Sequence, residues 1–429
     1  MRIAWTGDPG NPASTGGAGI AYQMLAGLIG RGHEIDLYLP TMDQVQRQGI
    51  APLRPRLTTY ETDTWWQWDR WYSRDPLAAF ASSLVARGRQ QVKIAHAVMG
   101  AHKRRPYDVI FQMSQFESFF PSRQRGEPPF VVHPCTIARC EAEWHLRERH
   151  IGIQSEGLVR FGLSESVLRT RSLAQRHHAH RADVIVGPSY RFAELLVESY
   201  GVDRSRVRVL RHPVDVKRFH PLEDRAVSGR KELLFIARMS TRKGLDLIVD
   251  LSHRLEDLAD EVQITLVGDK TLWSDYSLLL RELNPRVAEH IGFLEPNALI
   301  PRLQRARAVL VPSRFEPGSI TTGEALACGA PVIASSEVGP AEIIDESCGR
   351  VFRDGDRASL ERAVREVISL DDRGLERMRA AARERALLHL SADTIVQRLE
   401  QLLSMAARRA QELRRHHPHS SSPGNVPPS

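Results

Sequence analysis

The stretch Val311-Pro-Ser-Arg-Phe-Glu316-Pro-Gly-Ser-Ile-Thr-Thr-Gly-Glu324-Ala-Leu-Ala-Cys-Gly-Ala-Pro-Val-Ile-Ala334 reads as strand, loop, helix, glycine turn and strand. Glu316 falls in the loop at the strand's carboxyl end. Ser319, Ile320, Thr321 and Thr322 surround the helix start, and Glu324 lies eight residues after Glu316, within the helix. The free N–H groups of a helix start and the positive end of its dipole make an anion site. A carboxylate on either side of such a site suits hydroxyl groups flanking a phosphate, as in a nucleotide sugar. Two glutamates at this spacing arise by chance in many chains, so their placement carries the weight.

Upstream, Leu233-Leu-Phe-Ile-Ala-Arg238-Met-Ser-Thr-Arg-Lys243-Gly244 reads as a buried strand ending at Arg238, with Lys243 just before a glycine and a new helix. Two cations at a strand end suit a diphosphate, Arg as a planar fork and Lys as a point charge. A third segment, Gly7-Asp-Pro-Gly-Asn-Pro-Ala-Ser-Thr-Gly16-Gly17-Ala-Gly19, leads into a helix from Ile20. Its glycines let the backbone approach a ligand closely. The spacing is neither G-x-G-x-x-G after a short strand nor a Walker sequence, so a dinucleotide or P-loop site is not supported.

Short apolar runs alternate with helix-period stretches along the whole chain. Strands are expected at Ile3–Trp5, Ile35–Leu39, Val109–Phe111, Phe130–Val132 and Val184–Val186. A second series is expected at Leu233–Ile236, Ile264–Val267, Ala308–Val311, Val332–Ala334 and Arg350–Phe352. Helical patterns lie between them, as at Ile20–Ile29, Phe192–Ser199, Leu245–Leu255 and Ala358–Ser369, and a last helix is expected from Leu375 to Arg414. Such alternation implies parallel sheets covered by helices on both faces. The series restarts after Arg211-His-Pro-Val-Asp-Val-Lys-Arg-Phe-His-Pro221, an irregular connector with two prolines. The expected fold class is therefore α/β, with two doubly wound domains facing a cleft and ligands beyond the carboxyl ends of the strands.

The 429 residues are 42% hydrophobic and 26% charged, enough apolar material for two cores. Residues 1–200 hold 24 Lys/Arg against 19 Asp/Glu, and the part from Met405 holds four Arg against Glu412, whereas the stretch between is close to neutral. A basic first half and tail could face an anionic membrane surface or an acidic substrate; a solvated Arg-rich surface explains the charge equally well. Met1 to Asp8 meets a Gly and an Asp before any apolar stretch develops, so no secretory signal is expected. No apolar run is long enough to span a membrane. Cys135, Cys140, Cys328 and Cys348 are too few and scattered for a disulfide framework or a paired zinc site, which makes a reducing cytoplasm the default.

Taken in order, the three segments resemble glycosyltransferase family 4, the retaining enzymes of the GT-B fold. The resemblance runs from Gly16-Gly17 through Arg31-Gly-His-Glu34 and Arg238/Lys243 to Glu316/Glu324, with Glu324-Ala-Leu-Ala-Cys-Gly-Ala-Pro-Val-Ile-Ala334 its most specific part. It implies that residues 1–205 form an acceptor-side Rossmann-like domain and 206–385 a nucleotide-sugar-binding one. Residues 386–415 would be a helix crossing back to the first domain, and 416–429, low in apolar residues, a disordered tail. It implies that Arg238 and Lys243 hold a donor diphosphate, that Glu324 bonds the ribose, and that Glu316, with the helix start at Ser319, Ile320 and Thr321, meets the transferred sugar. Gly16 and Gly17 would set their backbone against donor phosphate or sugar. Val267-Gly268-Asp269 and Gly292-Phe293-Leu294 would line the base pocket, and His133 would lie near the anomeric carbon. A lone His after a strand is more often structural, but an expected place facing the cleft favours a catalytic role for His133.

The chain departs from the family pattern in two places. Where the family often has Glu-Pro-Phe-Gly-Leu, it reads Glu316-Pro-Gly-Ser-Ile320, and where the family usually has Pro-Asn-Gly-Val-Asp, it reads Arg211-His-Pro-Val-Asp215. Asp354-Gly-Asp356 looks like a metal-binding DxD, but its turn-like setting favours a helix-capping loop. His177, His178 and His180 are read as a solvated polar segment rather than a metal site. Cys135 and Cys140 have no second pair of ligands nearby in sequence, which favours buried, unbridged thiols. Trp65, Trp66, Trp68 and Trp71, with Arg70 and Arg74, could bind an acceptor or sit at a membrane interface, or could form a core patch under a long loop.

The implied reaction moves a sugar from a nucleoside-diphosphate sugar to an acceptor hydroxyl with retention. Fixed cations would do the work a metal does elsewhere, so neither cofactor nor metal is expected. The acceptor is open, and peripheral attachment at the inner face of a membrane is one expectation. A nucleotide-sugar epimerase or a phosphorylase on the same fold, and an inactive scaffold that binds nucleotide sugar, are the alternatives. Nucleic-acid binding fits poorly, since the Arg excess forms no dense basic run with interleaved aromatics apart from Trp65–Arg74.

Overall fold

The computed structural model describes residues 1–12, 16–61, 76–113, 127–222, 229–269 and 275–415. Its strands are β1 (Arg2–Thr6), β2 (Glu34–Leu39), β3 (Leu57–Glu61), β4 (Val109–Met113), β5 (Phe130–His133), β6 (Val184–Gly187) and β7 (Val207–Val209) in the first half. They are β8 (Lys231–Ile236), β9 (Val262–Val267), β10 (Ala288–His290), β11 (Ala308–Val311), β12 (Val332–Ser335) and β13 (Gly349–Phe352) in the second. The first seven form one sheet in the order β3-β2-β1-β4-β5-β6-β7, and the other six a second in the order β10-β9-β8-β11-β12-β13. Every pairing is parallel, as in Ile3↔Ile35 and Leu233↔Ile264.

Helices cover both faces of each sheet, so successive strand residues enter opposite cores. Ile3 and Trp5 pack in one cluster of the first domain and Ala4 in the other; Leu233 and Phe235 pack in one cluster of the second domain and Leu234 in its counterpart. This is the GT-B arrangement of two Rossmann-like domains around a cleft. All ten expected strands are present, and β3, β7 and β10 are additional, each at a sheet edge. Because β7 pairs with β6, the first domain runs past residue 205, where its end was expected.

The chain crosses between the domains twice. At the first crossing Val214 bridges Ser391 in parallel fashion, and its N–H donates to Leu390 O at 2.8 Å, so the two crossings lie side by side. The expected helix from Leu375 to Arg414 is broken there. Ser391 is extended (φ −58°, ψ 141°), which ends the helix Asp372–Leu390, and a new helix, Ala392–Arg415, begins. Ile395, Val396, Leu399, Leu403 and Ala406 of that last helix join the core of the first domain. Glu342 of the second domain accepts the Tyr190 and Arg191 N–H groups at 2.6 and 3.1 Å, where a carboxylate meets the start of the helix Tyr190–Tyr200.

No helix among the described residues is long and apolar enough to cross a membrane. The Trp65–Trp71 cluster, the stretch 416–429 and residues 13–15 of the glycine segment lie outside the described residues.

Leu399 is fully buried in the first domain although it follows the second in sequence. Leu399→Ala should cost about 2–5 kcal/mol of that domain's stability. Urea unfolding followed by near-UV signals from Trp5 and Trp144 would read the loss.

Candidate active site in the interdomain cleft

In a doubly wound sheet, two adjacent strands whose connections run to opposite sides leave a crevice at their carboxyl ends. In the second domain those strands are β8 and β11, which pair with each other while β9 follows β8 on one side and β12 follows β11 on the other. Arg238 and Lys243 come from the segment after β8, and Glu316 from the segment after β11.

The two segments are tied together. Gly244, at φ +84°, lets the chain pass Pro312, whose carbonyl oxygen would lie 2.2 Å from any Cβ there. Arg314 grips Asp246 through both carboxylate oxygens at 2.7 Å and donates to Thr241 O at 2.6 Å. Arg242 donates to Phe315 O at 3.1 Å, and its own carbonyl accepts the Arg314 N–H at 2.9 Å. On this frame the Lys243 ammonium forms an ion pair with Glu316, both side chains less than a fifth exposed. Burial, then the neighbouring Arg242 and Arg238, push the Lys243 ammonium well below its ordinary range. Arg238 is exposed.

Ser319 caps the helix Ile320–Ala327, its Oγ accepting the Thr322 N–H at 3.2 Å. That helix start therefore opens into the same crevice. Glu324, one turn in, is 8% exposed, and burial drives its carboxyl up to about 7 against the opposing pull of Arg218.

These parts enclose a cavity of about 680 Å³. Of the expected residues, Gly16, Arg238, Lys243, Gly268, Phe293, Leu294, Glu316, Ser319, Ile320, Thr321 and Glu324 line it. Gly17 is exposed beside it and His133 lies behind its wall; neither lines it. His133 is fully buried, neither ring nitrogen has a hydrogen-bond partner among the described residues, and it stacks on His212 at 5.5 Å between centroids. Burial, reinforced by His212, holds His133 down to about 3, and burial holds His212 down to about 4, so both rings are neutral at pH 7.

His212 links His133 to the cavity. Its Nδ1–H donates to Gly318 O at 3.1 Å, and a Cβ on Gly318 would meet the His212 ring at 2.5 Å. Gly318 lines the cavity. The two departures from the family pattern are thus one feature: a ring at 212 occupies the space that a missing side chain at 318 leaves. The sequence signalled each departure but not their contact.

Three other expectations are settled by the geometry. Asp356 caps the helix Arg357–Ile368 by accepting the Ser359 N–H at 2.9 Å, so the Asp354-Gly-Asp356 segment is a capping loop. The His177–His180 segment is not simply solvated, because its helix packs inward: His178 is buried, and His180 meets Tyr200 O at 2.8 Å. Cys135 is half-buried rather than buried, and the fold brings it beside His133 and His212. Among the described residues these three form the one grouping of potential metal ligands, with ligand atoms all within 4.8 Å of one another.

Residues 15–212 match the family model described as glycosyl transferase 4-like domain, and residues 218–385 match that of glycosyl transferases group 1. Glycogen synthase of Mycobacterium tuberculosis (strain H37Rv) is 28% identical over 256 residues, 59% of this chain and 60% of that protein. D-inositol 3-phosphate glycosyltransferase of Geodermatophilus obscurus is 29% identical over 220 residues, 47% and 49% of the two chains. The chain thus spans about 60% or less of the length of these relatives. Among solved structures, sucrose-phosphate synthase from Thermosynechococcus elongatus superposes with a TM-score of 0.69 at 17% identity, over 95% of this chain and 100% of that one. Anabaena Alr3699/HepE in complex with UDP-glucose does so at 0.61 and 16%, over 94% and 100%. At these identities the likeness is one of fold.

Two outcomes follow from the site's packing. Glu324 binds a proton more tightly folded than unfolded, so its contribution to stability is lost as pH rises from about 4.5 through about 7, by about 3 kcal/mol. The urea-unfolding free energy of wild type relative to Glu324→Gln should fall by most of that amount between about pH 5 and about pH 8, the opposing titration of buried His133 and His212 being common to both proteins. Gly318→Ala should cost about 1–3 kcal/mol by overpacking against His212 and Pro188, and less in a His212→Ala background, where only the Pro188 contact at 2.8 Å remains, a coupling that thermal melts of the four proteins would measure.

Proposed function

We infer, from a chain whose first half matches the glycosyl transferase 4-like domain and whose second half matches the group 1 glycosyl transferases, that the protein transfers a sugar from a nucleoside-diphosphate sugar to an acceptor hydroxyl, with retention of anomeric configuration. One observation carries this reading: two cations, a helix start and two carboxylates from separate segments converge on a single cleft cavity. A diphosphate needs the cations and the helix start, and the sugars on either side of it need the carboxylates.

In this reading the donor diphosphate enters between Arg238 and Lys243 and displaces Glu316 from Lys243. The freed Glu316 then accepts hydroxyl protons of the transferred sugar, while Glu324 accepts from the ribose. Phe293 and Leu294 flank the base, with the Gly268 backbone lining the same end of the cavity. As the bond from the anomeric carbon to the β-phosphate oxygen breaks, charge grows on the diphosphate. Arg238, Lys243, the N–H groups at Ser319–Thr321 and the Gly16–Gly17 amides stabilise it. The acceptor oxygen attacks the same face of the sugar, and its proton passes to the departing phosphate oxygen. His133, neutral and dry, bounds the space beside the anomeric carbon through its stack with His212.

The transfer as written draws on the chain's own cations and calls for no metal. The acceptor would approach from the first domain. The basic balance of residues 1–200 supports an anionic acceptor or attachment at an anionic membrane surface, which co-sedimentation with acidic and neutral vesicles would separate.

The test is calorimetric titration in EDTA with UDP, GDP, ADP and their sugar conjugates. One nucleotide series should bind selectively, and Lys243→Ala and Glu324→Ala should each weaken it roughly ten- to hundredfold. Glu316→Gln, which removes the competitor for Lys243, should tighten binding of the free diphosphate while slowing transfer. A folded wild type that binds none of these nucleotides would leave the chain a scaffold without the chemistry.

A further inference from the structure

A carboxylate of the first domain reaches onto the very segment that carries Lys243. Glu148 stands at the junction of the helices Ala138–Arg147 and Arg149–Arg181. Its Oε1 accepts the Thr241 hydroxyl and, at 2.6 Å, the Arg242 backbone N–H, while its Oε2 accepts the Tyr276 hydroxyl. All three donors belong to the second domain, and two of them lie in the short turn Thr241–Lys243. Ile151, on the next turn of the same junction, packs against the core of the second domain.

We propose that Glu148 is a positioning residue, a clasp that fixes the Thr241–Lys243 turn only while the two domains are together, so that closing the cleft and setting Lys243 for a diphosphate are one event. The proposal rests on the reading of Lys243 as a phosphate-binding cation. Its physical basis is the completeness of the contact. A carboxylate that receives three hydrogen bonds, one of them from a buried tyrosine, is held by charge-assisted bonds that all break together when the domains part. The effect reaches both partners of the ion pair. Arg242, bonded to Glu148, directly precedes Lys243, and its guanidinium holds the Phe315 carbonyl, one residue before Glu316. A residue placed only to stabilise the fold would have no reason to concentrate its bonds on this turn.

The experiment uses the full chain as wild type, Glu148→Ala, Glu148→Gln and Tyr276→Phe. Small-angle scattering gives the radius of gyration with and without nucleotide, and calorimetry gives the affinity for UDP, GDP and ADP. Without ligand, Glu148→Ala should be measurably more expanded than wild type. Its affinity for the preferred nucleotide should fall roughly tenfold or more. Glu148→Gln, which keeps one carbonyl oxygen for the Thr241–Arg242 pair, and Tyr276→Phe, which removes one donor, should fall between. Should Glu148→Ala fail to fold, these two variants carry the test.

A lowered melting temperature with unchanged dimensions and unchanged affinity of the folded protein would overturn the proposal and leave Glu148 a structural contact. If wild type binds no nucleotide, the reading of the cleft fails by itself. The unliganded dimensions then still decide whether Glu148 clasps the domains, since equal radii in wild type and Glu148→Ala would rule it out.

Discussion

Parallel strands can follow one another only through crossovers, and crossovers return every strand to the sheet in the same direction. All carboxyl ends therefore gather along one edge, and a crevice opens where the crossovers part to opposite sides. In the second domain this constraint puts the segments after β8 and β11 face to face, and with them Lys243 and Glu316. Burying an ammonium beside Arg242 and Arg238 is unfavourable without a counter-charge, and the Glu316 carboxylate supplies one from within the chain. The bonds of Arg242 and Arg314 keep the two segments in register within the second domain, and Glu148 adds the first domain's hold on the turn that carries Lys243.

The fold was legible at every central strand and obscure at three of the four sheet edges. Central strands of a parallel sheet are covered on both faces and read as continuous apolar runs, as at Val109–Phe111 and Ala308–Val311. The three strands that sequence reading passed over, Leu57–Glu61, Val207–Val209 and Ala288–His290, each have one neighbour and one open edge. Their exposed Thr58, Thr59, Glu289 and His290 break the apolar run, so nothing in their composition separates them from loop. The break at Ser391 was hidden for a different reason. The local sign is slight, a serine whose Oγ accepts the Thr394 N–H at 3.4 Å to cap the new helix, and the pairing with Val214, far away in sequence, completes the break.

The charged residues of the candidate site were legible because each lies just after a strand or at a helix start, a position that short-range pattern reveals. What joins them was not. His212 could be seen to stand where another residue is usual, and Gly318 likewise, but only the fold shows the ring of one filling the place of the other's side chain. The His133–Cys135 pair gains His212, and Glu148 its three donors, across separations that no local pattern spans.

The paired crossings at Val214 and Ser391 bear on how such a molecule can move. One covalent link between two bodies acts as a swivel and leaves three rotations free. Two links bonded side by side remove most of that freedom and leave chiefly one, a turn about a line through the pair. Opening then becomes a single coordinate, and displacement grows with distance from that line. His212, two residues from Val214, is near the pivot, so its hold on Gly318 can persist through the whole swing. The part of the wall made by His212 and Gly318 thus lies where a turn of one domain on the other would displace it least.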